Sequence, residues 1–333
     1  MDMNSLEKNL LKNIDTLPEG CKYCIKGEKL VLFITGECDE NCFYCPISEK
    51  RKGKDEIYAN EKKISNLIEC VNEVGLCDSK GVGITGGNPL LKIDRTCEYL
   101  KYLKNKFGDS FHSHLYTSPT YINEDNLKKL KDANLDEIRI HPTKYFNLKL
   151  DDNEKKKYIE YLKNRLKLAM KYIKDVGVEI PAIPNYEDEI IYLAEELNKI
   201  GVKFLNLNEL EYSETNYKNL IDKGFYPKND YSSSIKDSEE TALKVVNYFK
   251  NKPNFKMIIH YCPSSLKDSI QMKNRLINRA KNVAKPYDII TDEGLILRGI
   301  MVFEGDNKSG MKDIVEILKD NNVDYEVSNN DIY

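Results

Sequence analysis

No tryptophan occurs in the 333 residues, no internal repeat or low-complexity linker is visible, and no apolar run approaches the ~20 residues a bilayer crossing requires. A membrane-spanning role is therefore not expected. The start, Met-Asp-Met-Asn-Ser-Leu-Glu-Lys, lacks the cationic and apolar zones of a secretion signal, so a cytoplasmic location is the expectation. Charge is nearly balanced, and a formal net charge of −3 gives no global pull toward nucleic acid. The missing tryptophan, together with abundant Lys, Glu, Ile and Asn, fits an AT-rich genome and leans toward a thermophile. What the chain does have is 41% hydrophobic content, enough over this length for one large core plus an appendage. It also has nine cysteines, an odd number in metal-like spacings, which argues against a disulfide framework and for a reducing compartment.

Three of those cysteines stand close together. Cys38-Asp-Glu-Asn-Cys42-Phe-Tyr44-Cys45 follows the apolar strand Leu30-Val-Leu-Phe-Ile-Thr35, with spacings x3 and x2. Three thiolates this close can wrap three corners of a cubane and leave one iron without a protein ligand, whereas a structural cluster or closed zinc site needs four. The open iron is a place for a ligand to bind. Taken alone, the octet also fits a zinc loop, a redox trio or coincidence, but none of these predicts a companion motif at the next strand. One is present. Gly81-Val-Gly-Ile-Thr-Gly86-Gly87-Asn88-Pro89 ends a strand in a turn where backbone can approach a ligand with no Cβ in the way, and the proline sets the exit direction. The stretch also contains Gly81-x-Gly83-x-x-Gly86, but a dinucleotide fingerprint opens a helix and has an acidic residue ending the next strand. Here the glycines lie within the strand, and the next strand ends in Tyr116-Thr117.

Along the chain, strand-like and helix-like segments alternate, the pattern of βα units around a parallel sheet. Strands are expected near 30–35, 81–85, 111–117, 136–141, 177–183 and 202–208, with helices near 61–75, 94–106, 123–133, 152–176 and 187–200. Six strands make a partial (β/α)6 TIM barrel, an α/β fold, and not a closed one. The polar stretch 213–237 reads as a boundary, beyond which come a helix near 238–251, a strand through Met257-Ile-Ile-His260, a long helix from 265 and a small α+β appendage. The expected division is an N-terminal segment 1–29, a barrel 30–212 and a C-terminal extension 213–333. Period-two alternation sets Ile138 and Ile140 against Glu137, Arg139 and His141, and Leu205 and Leu207 against Asn206 and Asn208. With the apolar face on the helices, the polar face lines the barrel, which implies an open polar cavity with room for a cofactor and substrate. Arg139, His141 and Asn208 fall at carboxyl ends of strands, where barrel enzymes place their chemistry, and Thr117 and Glu179 follow.

Cys21-Lys-Tyr-Cys24 forms half of a tetrahedral metal site that His260-Tyr-Cys262 could complete, as zinc or an auxiliary iron-sulfur centre; buried free cysteines are the alternative. Basic residues cluster at Lys50-Arg51-Lys52-Gly53-Lys54 and on the helix from Ser264, with Lys267, Lys273, Arg275, Arg279, Lys281 and Lys285. Such faces grip phosphates or acidic partners, although on a Lys-rich protein they are more often solvated.

The cluster loop and the glycine turn resemble those of the radical S-adenosylmethionine (SAM) superfamily, and nearly the whole chain resembles an archaeal group of these proteins related to pyruvate formate-lyase activating enzyme. The resemblance runs through Cys21-x-x-Cys24, Thr35-Gly36, Cys38 to Pro46, Thr85-Gly-Gly-Asn-Pro89, His114-Leu-Tyr-Thr117, Asp136-Glu-Ile-Arg-Ile-His141 and Leu207-Asn-Glu-Leu210. It implies a 4Fe-4S cluster on Cys38, Cys42 and Cys45, and SAM chelated at the open iron and cleaved reductively to a 5′-deoxyadenosyl radical that takes hydrogen from substrate. It also implies that Gly86, Gly87 and Asn88 hold the SAM amino group and that Tyr44 borders the adenine. A flavodoxin- or ferredoxin-like protein would supply the electron. Asn88 departs from the family pattern, standing where a carboxylate is usual, and its amide oxygen accepts a hydrogen bond without supplying charge. Around SAM, Thr117, Glu179 and Asn208 are the expected cofactor contacts, with Arg139 and His141 the expected catalytic groups. Three substrate classes stay open, in this order: a small metabolite or cofactor precursor, RNA modified with help from the basic clusters, and a partner protein activated at glycine. A non-enzymatic electron carrier would bind iron and fail to cleave SAM.

Overall fold

A computed structural model describes residues 14–147, 150–303, 308–328 and 331–332, so residues 1–13 of the expected N-terminal segment lie outside the described residues. Helix α1 (Glu19–Ile25) leads into strand β1 (Lys29–Phe33), followed by a hairpin of β2 (Ile57–Ala59) and β3 (Lys62–Ile64). Alternation then begins, with α2 (Leu67–Leu76), β4 (Gly81–Thr85), α3 (Ile93–Phe107), β5 (His112–Thr117), α4 (Glu124–Asp132) and β6 (Glu137–Ile140). It continues through α5 (Asp152–Ala169), β7 (Asp175–Ala182), α6 (Glu187–Lys199), β8 (Phe204–Glu209), α7 (Ser238–Lys250) and β9 (Ile258–Cys262). Beyond β9, a π-helical stretch Lys267–Met272 runs into α8 (Lys273–Val283). Several helix starts are written locally: Asn66, Asn123 and Asp151 each accept the backbone N–H three residues on, and Glu154 closes a capping box by accepting from Asp151 N. The helix expected from 61 starts instead at Leu67, because the preceding residues turn back as the β2–β3 hairpin.

All nine of these strands form one sheet in the order β3-β2-β1-β4-β5-β6-β7-β8-β9. From β1 through β9 the ladder is parallel, with the β2–β3 hairpin antiparallel on its outer edge. The order is linear, so the sheet does not close on itself. It carries one parallel strand more than the six expected, because Ile258–Cys262 pairs with β8 instead of standing in an appendage. The sheet thus draws on both sides of the expected boundary at 213. Among the described residues, no helix is long and apolar enough to cross a membrane.

The expected alternation holds. Leu115, Ile138, Ile140, Leu205 and Leu207 pack into the core under the helices, while their strand neighbours His112, His114, Glu137, Arg139 and Asn206 are also buried. Where an open polar cavity was expected, α1 packs against these polar groups instead. Gly20 N donates to Glu137 Oε2 at 3.0 Å, and a Cβ at Gly20 would lie 2.6 Å from Arg139 Nη2 and 2.7 Å from His114 Nδ1. Only glycine lets the helix approach this closely. Leu17, Cys21 and Ile25 then pack on Leu266 and Ile270, and Asn274 Nδ2 donates to Ile25 O at 2.8 Å. Farther on, Asn282 Nδ2 reaches Leu76 O at 3.1 Å and Arg279 Nε reaches Glu73 Oε1 at 3.2 Å. Helix α8 therefore ties α1 and α2 together.

Candidate active site

The carboxyl ends of the parallel strands carry the loops where the expected site residues meet. From β1 the chain passes through Gly36, whose N–H donates to Lys54 O at 2.8 Å, into the cysteine octet. Cys38 is exposed, Cys42 and Cys45 are half-buried, and all three are free thiols. Burial pushes the Cys42 thiol up to about 12 and raises Cys38 as well, so loading a metal here releases protons. Among the described residues no group of three or more Cys, His, Asp or Glu side chains could hold a single metal ion. A cubane binds its thiolates to different irons, so its donors need not converge on one point. Three unpaired thiols on one loop at the accessible end of the sheet fit that donor set.

The loop is anchored on several sides. Asp39 Oδ2 accepts from Tyr121 OH at 2.6 Å, and Glu40 accepts from Thr120 Oγ1 at 3.2 Å and Thr143 Oγ1 at 2.8 Å. Its later half is held by residues in the polar stretch that the sequence marked as a boundary. Thr215 Oγ1 donates to Ile47 O at 2.7 Å and Cys45 O at 3.3 Å, and Asn216 Nδ2 donates to Tyr44 O at 3.1 Å. Nothing in the local sequence marks Thr215 and Asn216 as cluster-loop contacts, because their partners are distant in the chain.

The glycine turn packs directly on this loop. Gly87 N donates to Thr35 O at 2.7 Å and Asn88 N to Glu37 O at 2.8 Å. A Cβ at Gly86, whose φ is +152°, would sit 2.4 Å from Thr35 O, and one at Gly87 would sit 2.1 Å from Glu37 O. Asn88 is 2% exposed; its Oδ1 accepts from Thr117 Oγ1 at 2.9 Å and Leu90 N at 3.2 Å, and its Nδ2 donates to Ser118 Oγ at 3.4 Å. The amide that stands in place of the usual carboxylate thus also braces Thr117 and the turn.

Toward β6, β7 and β8 lies a buried charge network. Arg139 Nε donates to Glu137 Oε1 at 2.6 Å, Nη1 to Glu179 Oε2 at 2.9 Å and Tyr116 OH at 3.1 Å, and Nη2 to Cys21 Sγ at 3.4 Å. Glu179 also accepts from Asn206 Nδ2 at 3.0 Å and Asn208 Nδ2 at 2.7 Å. Burial pushes its carboxyl up, but Arg139 and the two amides outweigh this and hold it below the usual range. Arg139, expected at the reaction, is 3% exposed and each of its guanidinium nitrogens is engaged, so it orders Glu179 instead of facing the mouth. His141 is half-buried; its Nδ1 lies 2.7 Å from Glu179 O and its Nε2 2.9 Å from Tyr44 OH.

At the lower end of the sheet, Lys29 Nζ lies 2.6 Å from His112 Nδ1 and donates to His112 O at 2.9 Å. Burial lowers Lys29 to about 7 and His112 to about 4. The second cysteine set surrounds α1: Cys21 Sγ accepts from Arg139 and Asn206, and Cys262 packs on the same apolar cluster. Burial raises Cys21 and Cys24, pushes Cys262 up to about 12 and lowers His260 to about 4. Four of the ten basic residues expected to grip phosphate are ion-paired. Lys267, Arg275, Arg279 and Lys285 pair with Glu211, Glu61, Glu73 and Glu326, and the Arg51 guanidinium lies 4.1 Å from the centre of the Tyr58 ring.

Comparison with known proteins fits this geometry. The profile of the Radical SAM superfamily matches residues 32–197. A protein of Methanocaldococcus jannaschii, provisionally named a glycyl-radical enzyme activating enzyme, is 59% identical over 332 residues, covering 100% of this chain and 85% of its own. A provisionally named GTP 3′,8-cyclase of Methanococcus aeolicus is 23% identical over 237 residues, 68% of this chain and 73% of its own. The crystal structure of Streptococcus suis SuiB bound to S-adenosylmethionine aligns at 12% identity and a TM-score of 0.45, over 71% of this chain and 50% of that one. The chain belongs to the radical SAM superfamily, whose enzymes use a 4Fe-4S cluster and SAM.

Proposed function

We propose that Cys38, Cys42 and Cys45 ligate the 4Fe-4S cluster and that the substrate is a segment of a partner protein presented at the carboxyl-end mouth of the sheet. When bound, the reduced cluster and SAM supply a 5′-deoxyadenosyl radical that takes a hydrogen atom from the substrate. The protein's residues then orient and exclude water. Gly86, Gly87, Asn88 and Thr117 would hold the amino-acid end of SAM, Tyr44 the adenine side, and Glu179 and Asn208 the remaining polar edge.

The observation that carries the substrate reading is the cover over the polar face of the sheet, where Gly20 and Cys21 of α1 bond Glu137 and Arg139. With α1 and the Arg139 network occupying the space below the mouth, the reaction is left near the surface, where an extended chain can be laid across it. The whole-length relative with its activating-enzyme name supports the same reading. A small metabolite is the second reading, favoured by the polar Glu179–Asn208 pair at the mouth. RNA modification ranks third, since four of the ten cations invoked for it are ion-paired. An auxiliary zinc or iron-sulfur centre at Cys21, Cys24, His260 and Cys262 lacks support too, because Cys21 is engaged by Arg139 and Asn206, and we assign this set to the packing of α1 on β9. A flavodoxin- or ferredoxin-like donor remains the proposed electron source.

The test is anaerobic reconstitution with reductant and SAM, followed by separate incubation with a proteome deuterated at glycine, deuterated metabolite pools and deuterated bulk tRNA. Label entering 5′-deoxyadenosine from protein supports the proposal; label from metabolites or tRNA alone refutes the substrate class. Cys42→Ala should abolish SAM cleavage, and undiminished 5′-deoxyadenosine release from it would overturn the cluster assignment.

A further inference from the structure

His141 stands at the carboxyl end of β6 and touches two things that fix its chemistry. Its Nδ1 lies 2.7 Å from Glu179 O, and a carbonyl only accepts, so Nδ1 carries the proton. Nε2 is then an acceptor, and the Tyr44 hydroxyl 2.9 Å away is its donor. Burial lowers the imidazole's pKa. The two rings meet edge to face, with centroids 5.6 Å apart. Tyr44 is 7% exposed and is held at both ends, by His141 at the phenol and by Asn216 at the carbonyl.

Tyr44 lies between Cys42 and Cys45 in the chain, and its hydroxyl is within hydrogen-bonding reach of the Cys42 thiol. A phenol has one proton to give. While His141 takes it, the hydroxyl offers Cys42 only lone pairs.

We infer that His141 is a positioning residue for the cluster loop, pinning Tyr44 through its hydroxyl and withholding the phenol proton from Cys42. This deepens the proposed function and rests on Cys42 being a cluster ligand. Removing the imidazole acceptor frees the phenol proton to donate to the Cys42 thiolate. A hydrogen bond to a ligating sulfur favours the more negative reduced cluster and raises its potential.

The experiment uses the anaerobically reconstituted full chain. Wild type, His141→Phe, Tyr44→Phe, the double variant and His141→Gln are compared for iron loss to a chelator and for midpoint potential, with unfolding of each apo form confirming the fold. His141→Phe and Tyr44→Phe should each speed iron loss several-fold, with the double variant no faster than either. The potential should rise in His141→Phe and not in the double variant, which has no phenol to donate. Glutamine, able to accept from Tyr44 and donate to Glu179 O, should restore both readings. Additive losses in the double variant, or a His141→Phe protein with wild-type iron retention and potential that fails only in hydrogen transfer, would overturn the inference. Wild-type iron loading in Cys42→Ala would instead defeat the ligand assignment beneath it.

Discussion

Thr215 Oγ1 donates a 2.7 Å hydrogen bond to the carbonyl of Ile47 across 168 residues of sequence, and Asn216 beside it donates to the carbonyl of Tyr44. A turn after the sixth parallel strand thus holds the loop after the first, across the open side of the sheet.

Asn216 is 1% exposed and also donates to Glu211 O while accepting from Ser213 N. Asn216→Ala leaves two carbonyls without their donor, a loss of about 1–3 kcal/mol. Denaturant unfolding of the apo protein should show that loss, and the reconstituted variant should release iron faster. Unchanged stability would mean that water replaces the amide at no cost.

Gly87→Ala places a Cβ where Glu37 O stands, 2.1 Å away, and 2.9 Å from Gly36 O. Overpacking of this kind costs about 1–3 kcal/mol and is relieved by moving the less constrained partner, here the cluster loop. Iron bound per chain after reconstitution should drop several-fold while the sheet keeps its circular-dichroism spectrum. Full loading would show that the turn and loop can separate without harm.

Arg139 bridges Glu137 and Glu179 in the interior. Arg139→Met strands both carboxylates and should destabilise the fold by about 3–5 kcal/mol. Glu179 contributes through its depressed pKa. That stabilisation is complete above the ordinary carboxyl value of 4.5 and is lost as pH falls through the lower folded value. Glu179→Gln should therefore flatten the stability-against-pH curve below 4.5 relative to wild type, and parallel curves would count against the ion pair.

Lys29 gives the same sign of pH dependence in a higher window. Burial lowers its pKa from 10.5 to about 7, so between these values the unfolded chain binds more protons than the folded one and stability rises with pH. The rise is at most about 1.4 kcal/mol per pH unit, and it ends once the unfolded lysine is also neutral. Below about 7 the penalty is constant. Lys29→Met should remove the rise, as read from denaturant midpoints across that window; an identical slope in the variant would assign it to other groups.

The cysteine loop carries local information: two short spacings after an apolar strand place Cys38, Cys42 and Cys45 on one loop. The glycine turn was legible for the same reason. Strand alternation correctly set Ile138 and Ile140 against Glu137 and Arg139. It did not reveal what the polar face meets, and Arg139, read as a mouth residue, is bonded to Cys21 from α1. The Met257-to-His260 strand was recognised, yet its membership in the sheet was not, since hydrophobic periodicity is the same for an appendage strand and for a seventh neighbour.

By itself, the sequence determined the superfamily and the βα alternation, because motif spacing and side-chain periodicity are properties of neighbouring residues. Only the tertiary structure decided that α1 covers the polar face of the sheet, that β9 extends the sheet and that Thr215 and Asn216 clasp the cluster loop. Each of these joins segments far apart in the chain, and which of them meet is set by the packing of the whole core, where every buried donor must find its acceptor.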